Sequence, residues 1–465
     1  MNTIVRIQSI TIKNIKNVKI GVADFPNYKS KKYYDEKSEI LGIYGQNGSG
    51  KTTLINMAAV LKKALSGESL SQDAWELIDC DEEIGSLGVV FFINQNNESY
   101  LVYYDLILKK IEDGILRVVT EKLSYKSLNK IKGVRNSRIT LIEIDLKKNV
   151  EFSPKNKYKN LLSPQSPKSV AVKIALALAN ERNTSCLFGA EVMEILLNYL
   201  EDHQDQQGAR ILSALQMFAR RNLCVIENNR LGSILMNLVI PFSFRIDSKE
   251  KSTQGEYPIA LTGTIFIGER ENQLITQIIG QINVVLEKLI PGMFLEVFEK
   301  SSEFSKNGEK KIQVELISVR EGKRVSLKNE SEGIVKIISI LSSLIAVYNL
   351  PSYCMFVDEL DSGIFEFLLG EILKVIDDGG KGQLIFTSHN LRPLEVLDSK
   401  NILFTTSNRD NRYIHIQNIK RTNNLRDVYL RSILLGGEDE QLYVETDTVT
   451  IRKAFRKAGG LFKDE

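Results

Sequence analysis

Residues 45–52 constrain the fold of this chain more than any other segment, because they match the pattern G-x-x-x-x-G-K-[ST] between a strand-like and a helix-like stretch. Glycines let successive backbone N–H groups point inward around an anion, a conformation that residues with a Cβ resist. Lys51 can reach the outer phosphates, the Thr52 hydroxyl can bind Mg²⁺, and the positive end of the helix dipole faces the anion. The segment therefore predicts a phosphate-binding loop. Its predicted ligands are Gly45, Gln46, Asn47, Gly48, Ser49, Gly50, Lys51, Thr52 and Thr53.

Two adjacent acids follow a second apolar strand pattern far downstream. Residues 353–357 are apolar, and Asp358 and Glu359 come directly after them. Side chains at the carboxyl end of a buried parallel strand emerge at the same sheet edge as a phosphate loop. We therefore expect Asp358 to bind Mg²⁺ and Glu359 to polarise the attacking water.

Two further motifs stand on either side of the acids. The apolar strand pattern at residues 384–386 leads into His389, which we expect to donate a hydrogen bond to the γ-phosphate. Upstream, Ser331 and Gly333 stand at the start of an apolar helix pattern, where a hydroxyl and bare N–H groups can meet an anion. The other histidines are His203 and His415; without such a context, both are expected at the surface.

Strand and helix patterns divide the chain into three parts. Residues 1–160 are sheet-rich with one prominent helix, and they carry the phosphate loop. Helical patterns dominate residues 161–245, which we interpret as an insertion. Strand patterns return in residues 246–465, which carry the serine-glycine, carboxylate and histidine motifs. The predicted fold class is α/β with a helical insertion.

The overall charge is nearly balanced, with 61 Lys plus Arg against 58 Asp plus Glu, so any basic surface must be local. Such local clusters release counterions from nucleic acid only where they share one face. DNA is therefore a candidate partner, to be tested against the positions of these side chains. The candidate clusters are Lys13, Lys16 and Lys19; Lys155, Lys157 and Lys159 around Tyr158; and Arg220 with Arg221.

No membrane span, secretory leader or metal cluster is expected from the sequence. The densest apolar stretch, Ile334 to Leu350, contains Lys336 and three serines and is shorter than the roughly 20 apolar residues that a span needs. The four cysteines form no C-x-x-C pair, and the first residues lack an apolar core, so we expect a reducing cytoplasm. Each cysteine is expected to be a small buried side chain, and the three histidines form no metal-ligand cluster.

The order of these motifs resembles the ABC-type ATPases of the SMC, Rad50 and RecF branch. In that group two heads sandwich two ATP molecules, and the serine-glycine motif of one subunit closes on the γ-phosphate held by the other. The resemblance implies an α/β fold of the ABC ATPase head type, which is a P-loop NTPase with a mixed sheet and an antiparallel β subdomain. It further implies that the head binds ATP and Mg²⁺, with Ser331 and Gly333 acting in trans and Asp361 at the dimer seam. The chain departs from the usual LSGGQ motif by an acid at Glu332 and a missing glutamine. Gln95 is a candidate for the glutamine loop of the family.

Within that branch, residues 10–18, the Ser-x-Gly-x-x-Lys form and residues 358–364 resemble the AAA_15 group of overcoming-lysogenization-like ATPases. The ATPase subunits of PARIS-type anti-phage systems are similar as well. This resemblance implies a homodimer or higher homo-oligomer that holds a separate effector, such as a Toprim nuclease, and responds to a phage protein. Residues 442–447 resemble the first Toprim strand, but few residues follow them, so we expect any nuclease to be a separate chain.

A DNA repair or recombination ATPase similar to RecF or Rad50 is the alternative function. A Rad50-like or SMC-like head would need long heptad segments between its two halves, and the sequence has none. A RecF-like ATPase has no such requirement. A transporter nucleotide-binding domain is disfavoured because residues 51 and 331 lie much farther apart than the corresponding motifs of transporters.

Overall fold

Strand-rich and helix-rich segments alternate along the chain. The computed structural model describes residues 3–70, 72–111, 115–129, 137–146, 151–163, 166–227, 239–247, 252–260, 264–304, 310–416, 424–435, 440–443 and 447–460. The strands are β1 (Ile4–Ile15), β2 (Val18–Asp24), β3 (Glu39–Tyr44), β4 (Ile84–Gln95), β5 (Glu98–Ile111), β6 (Ile115–Ser127), β7 (Ile139–Asp145), β8 (Glu151–Ser153), β9 (Leu223–Ile226), β10 (Val239–Asp247), β11 (Ser252–Ala260), β12 (Ile265–Gly268), β13 (Met293–Phe304), β14 (Lys310–Arg320), β15 (Lys323–Ser326), β16 (Cys354–Val357), β17 (Gln383–Thr387), β18 (Ile402–Thr405) and β19 (Tyr413–Ile414). The helices are α1 (Pro26–Lys29), α2 (Lys51–Ser66), α3 (Lys155–Leu162), α4 (Pro167–Glu181), α5 (Ala190–Asp202), α6 (Gln206–Arg221), α7 (Glu269–Leu289), α8 (Glu332–Asn349), α9 (Glu366–Gly379), α10 (Pro393–Val396), α11 (Leu425–Leu435) and α12 (Thr448–Gly460).

A six-stranded sheet forms the centre of the fold. Its order is β19-β18-β3-β17-β16-β9, with parallel neighbours throughout except for the antiparallel pair β18–β19. The parallel strands are buried along their whole length, as expected for strands that are covered on both faces. Because alternate residues point to opposite faces, Leu41 and Ile43 enter one core, whereas Ile40 and Tyr44 enter the other. The sheet therefore separates two hydrophobic cores.

A seven-stranded antiparallel sheet covers the first core, in the order β2-β1-β4-β5-β6-β7-β8. Side chains of α2 and α6 fill the space between this sheet and the central one, and Phe91 of β4 meets Phe218 of α6 edge to face at 6.0 Å between ring centroids. Strands β4 and β5 form a hairpin, with Asn96 and Asn97 in the left-handed region at its turn.

A smaller antiparallel sheet and the helices α7, α8 and α9 cover the second core. Strands β12, β14 and β13 are neighbours in that order, and β15 pairs with β14. Apolar residues of α7 at helical spacing, Ile275, Ile279 and Leu286, are buried there. The predicted α/β class, with a mixed sheet and a separate antiparallel β part, is therefore confirmed.

Helix α8 is the most apolar element next to the central sheet. Among the described helices it is the one that is long and apolar enough to cross a membrane, with a hydropathy of 1.4. Just over half of it, 56% of the window, is buried inside the protein. Val335, Ile338 and Leu341 contribute to the second core. This packing is that of a core helix.

The segment 161–245 holds the predicted helices, as α4, α5 and α6, but it also holds strands. Leu223–Ile226 forms β9, which pairs in parallel with β16 at the edge of the central sheet. This short apolar run therefore forms the edge strand of the central sheet. The three-part division of the chain stays a prediction, with its second boundary inside the strand β10.

One expectation about the cysteines is wrong. Cys186, Cys224 and Cys354 are buried as predicted, but Cys80 is exposed. It lies in a turn after Asp79, where the chain leaves the protein interior.

A buried polar cluster joins the two sheets at the amino ends of the central strands. Arg6 of β1 contacts Glu39 of β3 at 3.2 Å, with both side chains almost completely buried. The Nε2 of Gln383 donates to Glu39 at 2.8 Å and to the carbonyl of Ile7 at 2.7 Å, and the N–H of Asn27 donates to Glu39 at 2.7 Å. Burial raises the pKa of Glu39, and the Arg6 guanidinium opposes this shift.

Candidate active site

A cleft of about 670 Å³ opens at the carboxyl ends of β3, β16 and β17. Ligands of parallel α/β sheets bind at this edge, outside the ends of the strands. The described residues that line the cleft come from the β1–β2 turn, the glycine loop with the start of α2, the segment after β16 and the end of β17. The structure thus brings together the predicted phosphate loop, both acids and the histidine, which the sequence separates widely.

The glycine loop forms the floor of the cleft, and its geometry requires glycine at position 50. Gly50 has a φ of +94° and precedes the first residue of α2, and a Cβ there would lie 2.9 Å from Val18. The loop residues divide into two groups. Asn47, Gly48, Gly50, Lys51, Thr52 and Thr53 line the cleft, whereas Gly45, Gln46 and Ser49 form the base of the loop, where the Ser49 hydroxyl contacts the Gln46 carbonyl and Thr405 at 2.5 Å each.

Lys51 rests on the loop that it follows. Its Nζ donates to the carbonyl of Gly45 at 2.7 Å and to that of Gln46 at 3.1 Å. Burial lowers the pKa of Lys51, while Asp358 and Glu359 act in the opposite direction. A buried ammonium that is held mainly by carbonyl groups is well suited to accept a stronger anionic partner.

The Asp358 carboxylate is buried, and only one of its two oxygens has hydrogen-bond partners among the described residues. Its Oδ1 accepts hydrogen bonds from Thr387 at 2.6 Å and from Thr52 at 3.4 Å, although Thr52 lies 306 residues away in sequence. Its Oδ2 is buried and has no hydrogen-bond partner within the described part of the chain. Native proteins rarely leave such an atom unpaired without an ion or water. A carboxylate oxygen beside a threonine hydroxyl is a donor set that fits Mg²⁺.

Glu359 lines the same cleft with an unusual backbone. Its φ is +48°, in the left-handed region that residues with a Cβ seldom adopt. Its N–H donates to the Thr387 hydroxyl at 2.7 Å. Thr387 therefore contacts both acids, through its bond to Asp358 and this one. The sequence interpretation missed Thr387, although a hydroxyl directly at the end of the strand before His389 was visible there.

His389 and Asp361 lie on the rim of the cleft. His389 is exposed and lines it. The Oδ2 of Asp361 accepts the backbone N–H groups of His389 at 3.1 Å and Asn390 at 2.9 Å. Asp361 therefore orders the loop that carries the histidine within its own chain.

The family assignment follows from a sequence comparison. A family model described as the KAP family P-loop domain matches residues 29–378, well over half of the chain. The chain belongs to the KAP family. The matched range contains the glycine loop and both acids, so the predicted P-loop NTPase is confirmed. The resemblance to the AAA_15 group is a finer assignment, which stays a prediction.

Solved SMC heads are similar to this KAP-family chain at low identity. One is an Smc head bound to the C-winged helix domain of ScpA, at 12% identity and a TM-score of 0.43, covering 88% of this chain and 97% of that one. Another, derived from Pyrococcus furiosus, is an Smc head with an extended coiled coil bound to the C-terminal domain of ScpA, at 11% identity and a TM-score of 0.37, covering 89% and 96%. At these TM-scores neither likeness carries a functional argument. Among curated proteins, none matches the sequence.

Ser331 and Gly333 of the KAP-family chain lie apart from the cleft. Neither is among the described residues that line it. Ser331 is the exposed N-cap residue of α8, and Gly333 packs against the backbone of Gly363 in the loop after the acids. They therefore do not contact the nucleotide site of their own chain, and their predicted role in trans stays a prediction.

Two residues of the β1–β2 turn belong to the cleft and were not predicted there. Lys16 and Asn17 line it, and the Asn17 side chain donates to the carbonyl of Gly48 in the glycine loop. Arg412 in turn donates to the Asn17 carbonyl at 2.6 Å. Lys16 was noticed in the sequence as a candidate for DNA contact, but its place beside the phosphate loop depends on strand pairing that the sequence does not display.

Lys336 is a further residue to which the sequence analysis gave no role. It is fully buried in α8, and its Nζ donates to the backbone carbonyl of Glu359 at 2.5 Å. Burial lowers the pKa of Lys336 to about 8, even though Asp361, Glu359 and Asp358 oppose the shift. The signal in the sequence was a lone lysine inside an otherwise apolar helix.

Two expectations about single residues are wrong. Gln95 ends β4 and lines a different pocket with Thr3 and Val5, so it is not a glutamine of the active site. His415 is largely enclosed, and its Nε2 contacts the carbonyl of Asp24 at 3.1 Å, because β19 packs beside β2. His203 is exposed as expected.

In each basic cluster proposed for DNA, one side chain is engaged elsewhere in the protein and is less available for DNA. Lys16 lines the cleft, Lys157 pairs with Asp205 at 2.5 Å, and Arg220 donates to the carbonyl of Ser66 at 2.9 Å. Tyr158, which was expected between exposed lysines, is fully buried. DNA binding stays a prediction with fewer available side chains.

Proposed function

We propose that this KAP-family chain hydrolyses ATP with Mg²⁺ in the cleft at the carboxyl edge of its central sheet. The observation that carries this proposal is the meeting of Thr52 and Asp358 at 3.4 Å, directly beside the glycine loop. Phosphoryl transfer needs positioning and electrostatic stabilisation more than covalent chemistry from the protein. A cleft that joins a phosphate loop to a buried, half-satisfied carboxylate offers both.

Each residue of the cleft then has a stated task. Backbone N–H groups of the glycine loop and the ammonium of Lys51 bind the phosphates. The Thr52 hydroxyl and the free oxygen of Asp358 hold Mg²⁺, which when bound neutralises charge on the phosphate oxygens. Glu359 orients the attacking water, and His389 on the rim donates a hydrogen bond to the γ-phosphate.

The proposed assembly is a homodimer, or a higher homo-oligomer, in which two ABC-type heads sandwich ATP. Support comes from the resemblance of the motif order to SMC, Rad50 and RecF ATPases. The exposed N-cap position of Ser331, away from the cleft of its own chain, is compatible with a contact to the nucleotide of a second copy. In this arrangement Gly333 and Asp361 lie near the seam.

The proposed biological role is control of a separate effector, such as a Toprim nuclease, in bacterial anti-phage defence. This role rests on the resemblance of residues 10–18 and 358–364 to the AAA_15 and PARIS-type ATPases. A RecF-like or Rad50-like repair ATPase is the competing role, with the remaining exposed lysines of β1 and β2 as its support. Co-purification of the tagged chain with the product of its neighbouring gene tests the first role, and binding to duplex DNA at physiological salt tests the second.

The proposed reaction is tested by ATP hydrolysis of Glu359→Gln. Loss of a residue that directs proton transfer costs about 10²- to 10⁴-fold in rate, so we expect a fall of that size in turnover with ATP binding retained. The matched control is Glu371→Gln, which removes an exposed acid on α9 outside the cleft. Full turnover by Glu359→Gln contradicts the assignment of this residue.

A further inference from the structure

The helix that begins with the serine-glycine motif carries a fully buried lysine. Lys336 lies in the second turn of α8, and its relative exposure is 0%. Buried lysines are rare unless they are paired, because removing an ammonium from water is costly. The partner that the structure gives Lys336 is the backbone carbonyl of Glu359, at 2.5 Å from its Nζ.

The backbone at Glu359 needs such support. A φ of +48° is a strained conformation for glutamate and persists only when its surroundings hold it. The N–H of Glu359 is held by Thr387 at 2.7 Å. Its carbonyl accepts the N–H of Ser362 at 3.0 Å as well as the Lys336 ammonium. Both polar groups of this peptide backbone are therefore fixed by side chains from other elements.

A second contact joins the same helix to the same loop. The backbone of Gly333 lies so close to Gly363 that a Cβ at position 333 would stand 2.0 Å from the Gly363 carbonyl oxygen. The loop after the acids is thus held to α8 at both ends, at Glu359 by Lys336 and at Gly363 by Gly333. A shift at the start of α8 must therefore displace the loop that carries Glu359, because packed backbone cannot absorb it.

We propose that Lys336 is a positioning residue for the hydrolytic step. It holds the left-handed backbone of Glu359 and so couples the position of the Glu359 carboxylate to the start of α8, where Ser331 and Gly333 lie. This inference rests on the proposed ATP hydrolysis in the cleft. Lys336 does not line the cleft, so it acts through Glu359 and does not contact ATP. Whatever engages Ser331 at the start of α8 then changes the placement of Glu359 through Lys336.

The experiment compares Lys336→Met and Lys336→Arg with the wild-type chain in steady-state ATP hydrolysis and in ATP binding. Methionine keeps an unbranched stem of similar length but removes the donor, whereas arginine keeps a donor. Lys374→Met is the matched control, because Lys374 is an exposed lysine of α9 outside the cleft. Thermal unfolding of each variant checks whether folding is retained.

We expect Lys336→Met to lower kcat by about tenfold to a hundredfold, the cost of a small misplacement of a catalytic group. Its ATP dissociation constant and KM should stay within about twofold of the wild type, since uniform binding is untouched. Lys336→Arg should retain more turnover than Lys336→Met, and Lys374→Met should match the wild type. This pattern supports the inference.

Three results overturn this inference while the proposed function stands. Wild-type kcat in Lys336→Met, or a loss of ATP affinity that accounts for its whole loss of activity, removes the positioning role. Equal loss in Lys336→Arg and Lys336→Met shows that the donor is not the cause. If the wild-type chain itself does not hydrolyse ATP, the proposed function fails, and this inference fails with it. Because the three results above are read against an active wild type, the two failures are distinguishable.

Discussion

The two ends of the central sheet carry buried polar clusters of opposite character. At the amino ends of the strands, Glu39 accepts hydrogen bonds from Arg6, Gln383 and the backbone of Asn27. At the carboxyl ends, Asp358 is equally buried, but one of its oxygens lacks a partner among the described residues. Strand β17 contributes to both clusters, with Gln383 at its start and Thr387 at its end.

The difference separates a structural cluster from a functional one. A buried carboxylate with both oxygens paired stabilises one arrangement of its elements, whereas an unpaired buried oxygen costs free energy and persists where a ligand completes it. The amino-end cluster joins β1 to the central sheet, whereas the carboxyl-end cluster keeps an unpaired carboxylate oxygen that we propose accepts a cation. We therefore expect substitutions in the amino-end cluster to lower stability and leave ATP binding unchanged. Substitutions in the carboxyl-end cluster should weaken ATP binding without lowering stability.

The largest effect is expected for a substitution in the cluster at the amino ends of the strands. Arg6→Met leaves Glu39 buried without its cation, and breaking such a pair costs about 3–5 kcal/mol. Urea unfolding should show this loss, while the folded fraction binds ATP as the wild type does. Arg221→Met, which removes an exposed arginine, is the control. Unchanged stability of Arg6→Met would remove the distinction between the two ends.

Lys51→Ala tests the site at the carboxyl ends of the strands through its affinity for ATP. The variant loses a charge-assisted contact worth about 1.5–3 kcal/mol, so ATP should bind about tenfold to a hundredfold more weakly. Calorimetric titration measures this change, with Lys13→Ala on the exposed face of β1 as the control. Equal affinity of Lys51→Ala and the wild type would show that the phosphates bind elsewhere.

Asp358→Asn should stabilise the chain in the absence of Mg²⁺. It keeps an oxygen for Thr387 but removes a buried charge that is only partly compensated, a gain of about 1 kcal/mol. Thermal unfolding in EDTA measures the shift. A clear loss of stability would assign Asp358 to the structural class of Glu39.

The smallest effect concerns His415 and pH. Burial lowers the pKa of His415, so below its ordinary value of about 6.5 the unfolded chain binds more protons than the folded one. Stability should therefore fall as pH drops from about 7.5 to 5.5, and part of this slope should vanish in His415→Gln. Denaturant unfolding at the two pH values checks this, with His203→Gln at an exposed position as control. An identical slope in His415→Gln contradicts it.

The sequence predicts those parts of the molecule that have a local signal. Local patterns predicted α2, α8, β16, β17 and the helices α4, α5 and α6, and the glycine loop and the acids were found from their residues alone. Of the strands that lead into the cleft, β16 and β17 were recognisable as apolar runs that end in polar residues. Local patterns suffice there because strand, turn and helix signals coincide with the chemistry.

The remaining features depend on contacts between distant segments. Thr387 and Lys336 act on Asp358 and Glu359 through hydrogen bonds that exist only after β16, β17 and α8 have packed. The burial of His415 likewise follows from the pairing of β19, and β9 was hidden because four apolar residues carry little periodicity. The assignment of Gln95 to the active site was wrong because a single glutamine gives no local signal of its position in the fold.

The central claim is that the glycine loop and Asp358 bind one Mg²⁺-triphosphate together. Its most direct test is calorimetric titration of ATP into Glu359→Gln, with Mg²⁺ and with EDTA, compared with the double variant Asp358→Asn, Glu359→Gln. We predict that Mg²⁺ strengthens ATP binding in the single variant and that this gain is lost in the double variant. An equal gain from Mg²⁺ in both proteins would contradict the account.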